Sequence, residues 1–146
     1  MMNRFNFLLN QKFLICCFFY KFETIWEYLP NANKLSDAEL VFSTFTDGYS
    51  LGHLYQKCLK YADDSIIIII KNNKNVIFGA FVDSALHVDP TILYRGTRDS
   101  FVFSLYPSEK KYDSTGFNND FLRCETEYFS LGSEGFFFFF IKPIYY

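Results

Sequence analysis

The sequence predicts an α+β domain that is mostly β. Three observations predict it. Short runs of β-branched and aromatic residues bounded by turn residues outnumber helical stretches. Only one segment shows a clear helical period. Strands and helices do not alternate as they would in a parallel βαβ chain. The 146 residues suit one domain, a size that buries roughly two-thirds of the surface its unfolded chain exposes.

Taken in order, residues Phe13 to Tyr20 form the apolar run FLICCFFY, with Arg4 and Lys12 before it and Lys21 after it. A positive start and a short apolar stretch are the signature of a secretory signal. No small-residue cleavage site follows, and the run is far short of the ~20 residues that span a bilayer. The residues favour a buried segment, or a mis-predicted first exon, over a signal or anchor.

Leu40 to Thr44 reads as a strand, and Asp47-Gly48 as a turn. Ser50 is placed to cap a helix, because its hydroxyl can accept from an otherwise unpaired backbone N–H. Leu51, Leu54, Tyr55, Cys58 and Leu59 then fall on one helical face, with Gln56, Lys57 and Lys60 opposite. Ser65 to Ile70 is apolar and β-branched throughout, so it is predicted as a central strand covered on both faces. Lys71 to Asn75 is a polar turn, and Val76 to Phe81 the return strand of a hairpin. Gly79 within that strand marks a bulge or a close backbone approach. Asp83 to Asp99 is a long loop containing Pro90 and Gly96. Ser100 to Tyr106 alternates, with Phe101, Phe103 and Leu105 on one face, and Pro107 ends it. Phe121 to Cys124 and Tyr128 to Leu131 are two further short strands. The last eleven residues, Phe136 to Tyr146, open with five consecutive phenylalanines. No alternation assigns a face to that run, and translated non-coding sequence is the favoured reading of it.

Composition narrows the function. Net charge is −2, with 14 Lys and Arg against 16 Asp and Glu. Nucleic-acid binders show a basic patch and a high pI, so no nucleic-acid partner is expected. Adjacent Cys16 and Cys17, with Cys58 and Cys124 far apart, match no metal-ligand spacing. Cys58 and Cys124 read as small buried hydrophobes, and the pattern suits a reducing, intracellular compartment. Ser50 and Ser104 lack a nucleophile-elbow context. Gly132-Ser133-Glu134-Gly135 is not followed by Lys-Ser/Thr or a helix, as a phosphate loop would be. His53 and His87 read as surface or loop histidines. Asp63-Asp64 and Asp83 lack calcium-loop spacing, and Glu109-Lys110-Lys111 reads as a solvated loop. No catalytic residue, cofactor site or metal site is expected.

Four segments, in this order, resemble the TLDc domain family. The first is Val41-Phe42-Ser43-Thr44, Asp47-Gly48-Tyr49-Ser50-Leu51 and Leu54-Tyr55-Gln56-Lys57-Cys58. The second is Ile66 to Lys71 followed by Val76-Ile77-Phe78-Gly79-Ala80-Phe81. The third is Tyr94-Arg95-Gly96-Thr97-Arg98-Asp99-Ser100-Phe101-Val102-Phe103-Ser104-Leu105, with Arg98 where the family usually has glycine. The fourth is Leu131-Gly132-Ser133-Glu134-Gly135. Trp26 and Leu29-Pro30 resemble the lead-in of TLDc domains attached to Rab-GAP-like domains. The resemblance implies a sandwich of two antiparallel β-sheets with flanking helices. It places the domain at residues 26–135, between an apolar segment at 1–25 and the Phe-rich tail at 136–146. The family continues with further strands, one of them Trp-Leu-Asp-like, where this chain has its tail, so a C-terminally incomplete domain is expected.

The family is further linked to oxidative-stress protection and to binding of the vacuolar proton-pumping ATPase, with no established catalysis. The resemblance therefore implies a cytoplasmic interaction module, peripheral on endomembranes, whose motif glycines and aromatics hold turns and core. The alternative it leaves is an accessory domain of a Rab-GAP-like membrane-traffic regulator.

Overall fold

A computed structural model describes residues 4–9, 15–35 and 37–132, with 4–9 and 15–21 described by backbone alone. The strands are β1 (Arg4–Leu9), β2 (Asp37–Ser43), β3 (Ser65–Lys71), β4 (Ile77–Val82), β5 (Phe101–Tyr106), β6 (Lys110–Asp113), β7 (Leu122–Cys124) and β8 (Phe129–Leu131). The helices are α1 (Ile15–Tyr28), α2 (Thr44–Asp47) and α3 (Leu51–Cys58). The fold is α+β and mostly β. Strands β3 to β6 pair antiparallel in sequence order, and β7 with β8 form a second antiparallel pair.

The strand β3 organises the molecule. Ile66 to Ile70 are all buried, each removal from water stabilising by about 1.5–3 kcal/mol. Because side chains alternate along a strand, Ile66, Ile68 and Ile70 serve one core and Ile67 and Ile69 another. On the first face lie α3, through Leu51, Leu54, Tyr55 and Cys58, and the small sheet, through Leu122, Phe129 and Leu131. On the second lies α1, whose Ile25 packs, with Leu29 just beyond the helix, against Phe81, Phe101, Phe103 and Leu105. Phe81 stacks on Phe101 with centroids 5.3 Å apart. Gly79 has to be glycine here. A Cβ would collide with the carbonyl oxygen of Ile68 and stand 2.7 Å from the Phe103 ring, so its absence lets that ring lie against the sheet.

Four expectations are corrected. The chain does contain a β–α–β passage: β1 runs parallel to both β2 and β3, with α1 between β1 and β2. The pairing has no local signature, because both partners of β1 lie well along the chain, in β2 and β3. Glu109-Lys110-Lys111 is not a simple loop. Lys110 begins the edge strand β6, whose residues are all exposed and which pairs with β5 from Phe101↔Asp113 to Ser104↔Lys110. Charged side chains on an edge discourage further pairing, and they give the strand the composition of a solvated loop. Leu59 leaves the buried helical stripe: α3 tightens into a 3-10 turn there, and Leu59 is 56% exposed. Val76 belongs to the turn, accepting from and donating to Asn72, so the return strand starts at Ile77. Phe136 to Tyr146, Ser133, Glu134 and Gly135 lie outside the described residues, as does part of the run from Phe13 to Tyr20.

Candidate interaction site

The first motif segment folds into a latch between β2 and α3. Ser43 accepts from Phe45 N at 3.3 Å and so caps α2. Ser43 N in turn donates to Asp47 Oδ2 at 2.9 Å. The other oxygen of Asp47 takes Lys57 Nζ at 2.7 Å. The Lys57 bond, and then the Ser43 amide, hold the Asp47 carboxyl below its usual range. Thr44 opens α2, and Gly48 closes it. Ser50 caps α3 by accepting from His53 N at 3.2 Å. Tyr55, on the buried face of α3, sends its hydroxyl to the carbonyl oxygens of Glu125 and Tyr128, at 2.9 and 3.0 Å. Phe45 and Tyr49 are left pointing outward, 62% and 76% exposed.

The third motif segment closes the long loop onto its own base. Ser65 Oγ donates to Asp83 Oδ1 at 2.8 Å, and Thr97 Oγ1 donates to Asp83 Oδ2 at 3.3 Å. Asp83 N donates to Ser100 Oγ at 3.4 Å. Asn33, beyond α1, donates to Ser65 Oγ at 3.2 Å. Asp83 is thus the hub of a hydroxyl cluster. Gly96 makes the closure possible with φ +97°, a conformation that side chains other than glycine rarely adopt. Val82, Phe121 and Ser100 crowd it on the side where a Cβ would stand.

A second cluster lies further along the loop. The Arg95 side chain is only 10% exposed. Its Nη1 contacts His87, lying 2.8 Å from Nδ1 and touching Nε2 as well. Its Nη2 is fully enclosed, 2.8 Å from Asp89 Oδ2 but out of line for a hydrogen bond, so Asp89 serves it by charge. Asp89 Oδ1 also accepts from Thr91 N and Thr91 Oγ1, at 2.8 and 2.6 Å, and these bonds draw its carboxyl below the usual range. Above this clasp Val88, Ile92 and Leu93 stand exposed, while Ala85 and Leu86 anchor the loop in the core. Main-chain bonds between Arg95 and Leu122, in both directions, tie the loop to β7.

The two described thiols are not poised to react. Burial, and after it the neighbouring Cys124, push Cys58 up to about 12. Burial likewise pushes Cys124 up to about 12, against a smaller opposite pull from the His87 backbone and Arg95. A nucleophilic cysteine requires the thiolate. Among the described residues no group of three His, Cys, Asp or Glu side chains could hold a metal ion, and no helix is long and apolar enough to cross a membrane. A cavity of about 170 Å³ between Val82, Val102, Tyr112, Phe121 and Leu131 has Gly132 in its wall. The described residues end there, with Gly132 N bonded to Phe121 O at 2.7 Å.

The remaining motif residues, Phe78, Ala80, Phe81, Phe101, Phe103 and Ser104, all sit in the paired strands β4 and β5, with Phe78 opposite Ser104 and Phe81 opposite Phe101. The structure therefore divides the motif residues between the latch, the loop closure and the sheet, and does not bring them into one pocket. From sequence His87 reads only as a surface or loop histidine and Arg95 only as part of the third motif, and nothing there joins them to Asp89. His87, Asp89 and Arg95 have no diagnostic spacing, although the Asp89-Pro90-Thr91 turn is a signal that the loop is ordered.

The TLDc domain family profile matches residues 19–142. The GTPase-activating protein skywalker of Drosophila melanogaster is 29% identical over 104 residues, which are 66% of this chain and 17% of that protein. Oxidation resistance protein 1 of Xenopus laevis is 28% identical over 113 residues, 77% of this chain and 13% of that protein. Nuclear receptor coactivator 7 of Mus musculus is 30% identical over 96 residues, 66% of this chain and 10% of that protein. The chain thus spans only a small part of the length of these relatives.

Proposed function

The chain belongs to the TLDc domain family, and from that premise we propose that it is a non-enzymatic interaction module that binds the vacuolar proton-pumping ATPase in the cytoplasm. In this reading it acts in oxidative-stress protection or endomembrane physiology. One observation supports binding over catalysis. The polar side chains of the motifs are engaged inside the domain, Ser43 and Ser50 as caps, Asp47 with Lys57, and Thr97 and Ser100 with Asp83. The same segments also turn two large apolar groups outward, Phe45 and Tyr49. Exposed apolar groups on an ordered scaffold suit a protein interface. The resemblance to oxidation resistance protein 1 fits the stress reading.

The test is biolayer interferometry of the full chain against the purified soluble sector of the proton pump. Saturable binding that weakens in a Phe45→Ser, Tyr49→Ser double variant is the expected result. No binding by the unaltered chain overturns the proposal.

A second reading, an accessory domain of a Rab-GAP-like traffic regulator, draws on the match to skywalker and on Trp26 and Leu29-Pro30 around the end of α1. A transcript joining this segment to a GTPase-activating domain would carry it. A direct antioxidant enzyme has less support, since both described thiols stay protonated near neutral pH. Peroxide consumption is expected to be the same for the chain and for its Cys58→Ser, Cys124→Ser variant.

A further inference from the structure

We propose that the loop from Asp83 to Asp99 carries an acid-sensitive clasp: neutral His87 holds the buried guanidinium of Arg95, and protonation of His87 releases the Ile92–Leu93 tip. A guanidinium has N–H donors and no acceptor, and it stays charged throughout the accessible pH range. At least one of the two ring nitrogens that Arg95 Nη1 touches, Nδ1 or Nε2, therefore has to present a lone pair. A doubly protonated imidazole has none. It also adds a second positive charge beside a guanidinium that is nine-tenths buried.

The surroundings leave Arg95 little alternative. Asp89 supplies charge to Nη2 without an aligned bond, and its Oδ1 is occupied by Thr91. From β7 comes Cys124, whose thiol is protonated and which interacts with the His87 backbone. Behind Cys124 lie Tyr55 and Cys58 of α3, with Glu125 beside them. The charged groups facing His87 itself are Arg95 and Asp89. Desolvation, and then Arg95, hold His87 below the usual histidine value, with Asp89 opposing.

The consequence is local because the loop is held elsewhere by groups that do not change. Asp83 is gripped by the hydroxyls of Ser65 and Thr97, and Leu86 is fully buried. Losing the His87 contact frees the segment between Leu86 and Thr97, where Ile92 and Leu93 are 49% and 57% exposed. Histidine pairs of this kind are how proteins convert mild acidification into a change of conformation.

The experiment is NMR of the full chain. The side-chain resonances of His87 and His53, its only two histidines, are followed from about pH 7.5 to about pH 5, the range in which histidine changes charge. Amide exchange of Arg95 and Leu122 is read at each step and corrected for the intrinsic rate. We expect His87 to titrate below the usual value and the Arg95 and Leu122 amides to open several-fold more readily in acid, while Ile67 and Phe81 in the sheet stay protected. In His87→Gln, whose amide oxygen accepts from Arg95 without titrating, the acid response should vanish. In Arg95→Met, His87 should titrate higher than in the unaltered chain. The proposal is overturned if His87 titrates at or above the usual value, if His87→Gln opens in acid as the unaltered chain does, or if the sheet amides open together with the loop.

Discussion

The loop between β4 and β5 is anchored twice, and the anchors differ in kind. At its base Asp83 is held by Ser65, Thr97 and Ser100, partners whose hydroxyls do not titrate in water. Further along, Arg95 is held by His87 and Asp89, partners that do. The base also depends on backbone shape, through Gly96, whereas the second anchor adds a side-chain clasp to the main-chain bonds between Arg95 and Leu122. One loop can thus be fixed in position at its root and conditional at its tip. A hydroxyl-to-carboxylate bond survives a change of pH that a guanidinium-to-imidazole contact does not.

The largest effect should come from the backbone at the base. Gly96→Ala puts a side chain at φ +97° against Val82 and Phe121, and is expected to destabilise by about 2–3 kcal/mol in urea unfolding. A cost near zero would mean that the closure is not rigid. Asp83→Ala removes the acceptor of two hydroxyl bonds on a partly exposed carboxylate and should cost about 1–2 kcal/mol by the same measurement. Thr91→Ala removes the hydroxyl bond to Asp89 on the exposed side of the clasp and leaves the Thr91 amide bond in place. It should cost less than Asp83→Ala by the same measurement. If Thr91→Ala proved costlier than Asp83→Ala, the ranking of the two anchors would be reversed.

The finest distinction is in pH. The folded form holds His87 below its usual 6.5, so folding favours the neutral ring. That contribution is fully present above about 6.5 and is lost as pH falls through the lower folded value. Stability of the unaltered chain should therefore decline relative to His87→Gln on moving from about pH 7.5 to about pH 5. Thermal melts at matched ionic strength would show it. Asp83→Asn, which leaves the clasp intact, should keep the decline.

Much of the middle of the molecule is legible in the amino-acid sequence. Local signals suffice where neighbours in sequence decide the outcome. The cap at Ser50 and the stripe Leu51, Leu54, Tyr55 and Cys58 are set within two turns of helix. Five consecutive isoleucines announce a strand covered on both faces, and the alternation from Phe101 to Leu105 assigns its own faces. The stripe of Phe22, Ile25, Trp26 and Leu29, along α1 and just past its end, is equally local, yet the unbroken apolar run ahead of it masks its period. The latch is half legible: Asp47-Gly48 reads as a turn, but that Asp47 reaches Lys57 requires α3 to fold back on β2.

What the sequence determined by itself is the kind of domain: mostly β, with its family motifs, its amphipathic helix and its central hairpin, all consequences of periodicity and residue type over short spans. The tertiary structure alone decided the rest. It set β1 parallel between β2 and β3 and made an edge strand of the exposed segment Lys110–Asp113. It also brought His87, Asp89 and Arg95 of one loop against Cys124 of a distant strand. The physical reason is common to all three. Each depends on partners outside the segment itself, chosen by which faces are buried together and which strand edge is left open, and no pattern within the segment records that choice.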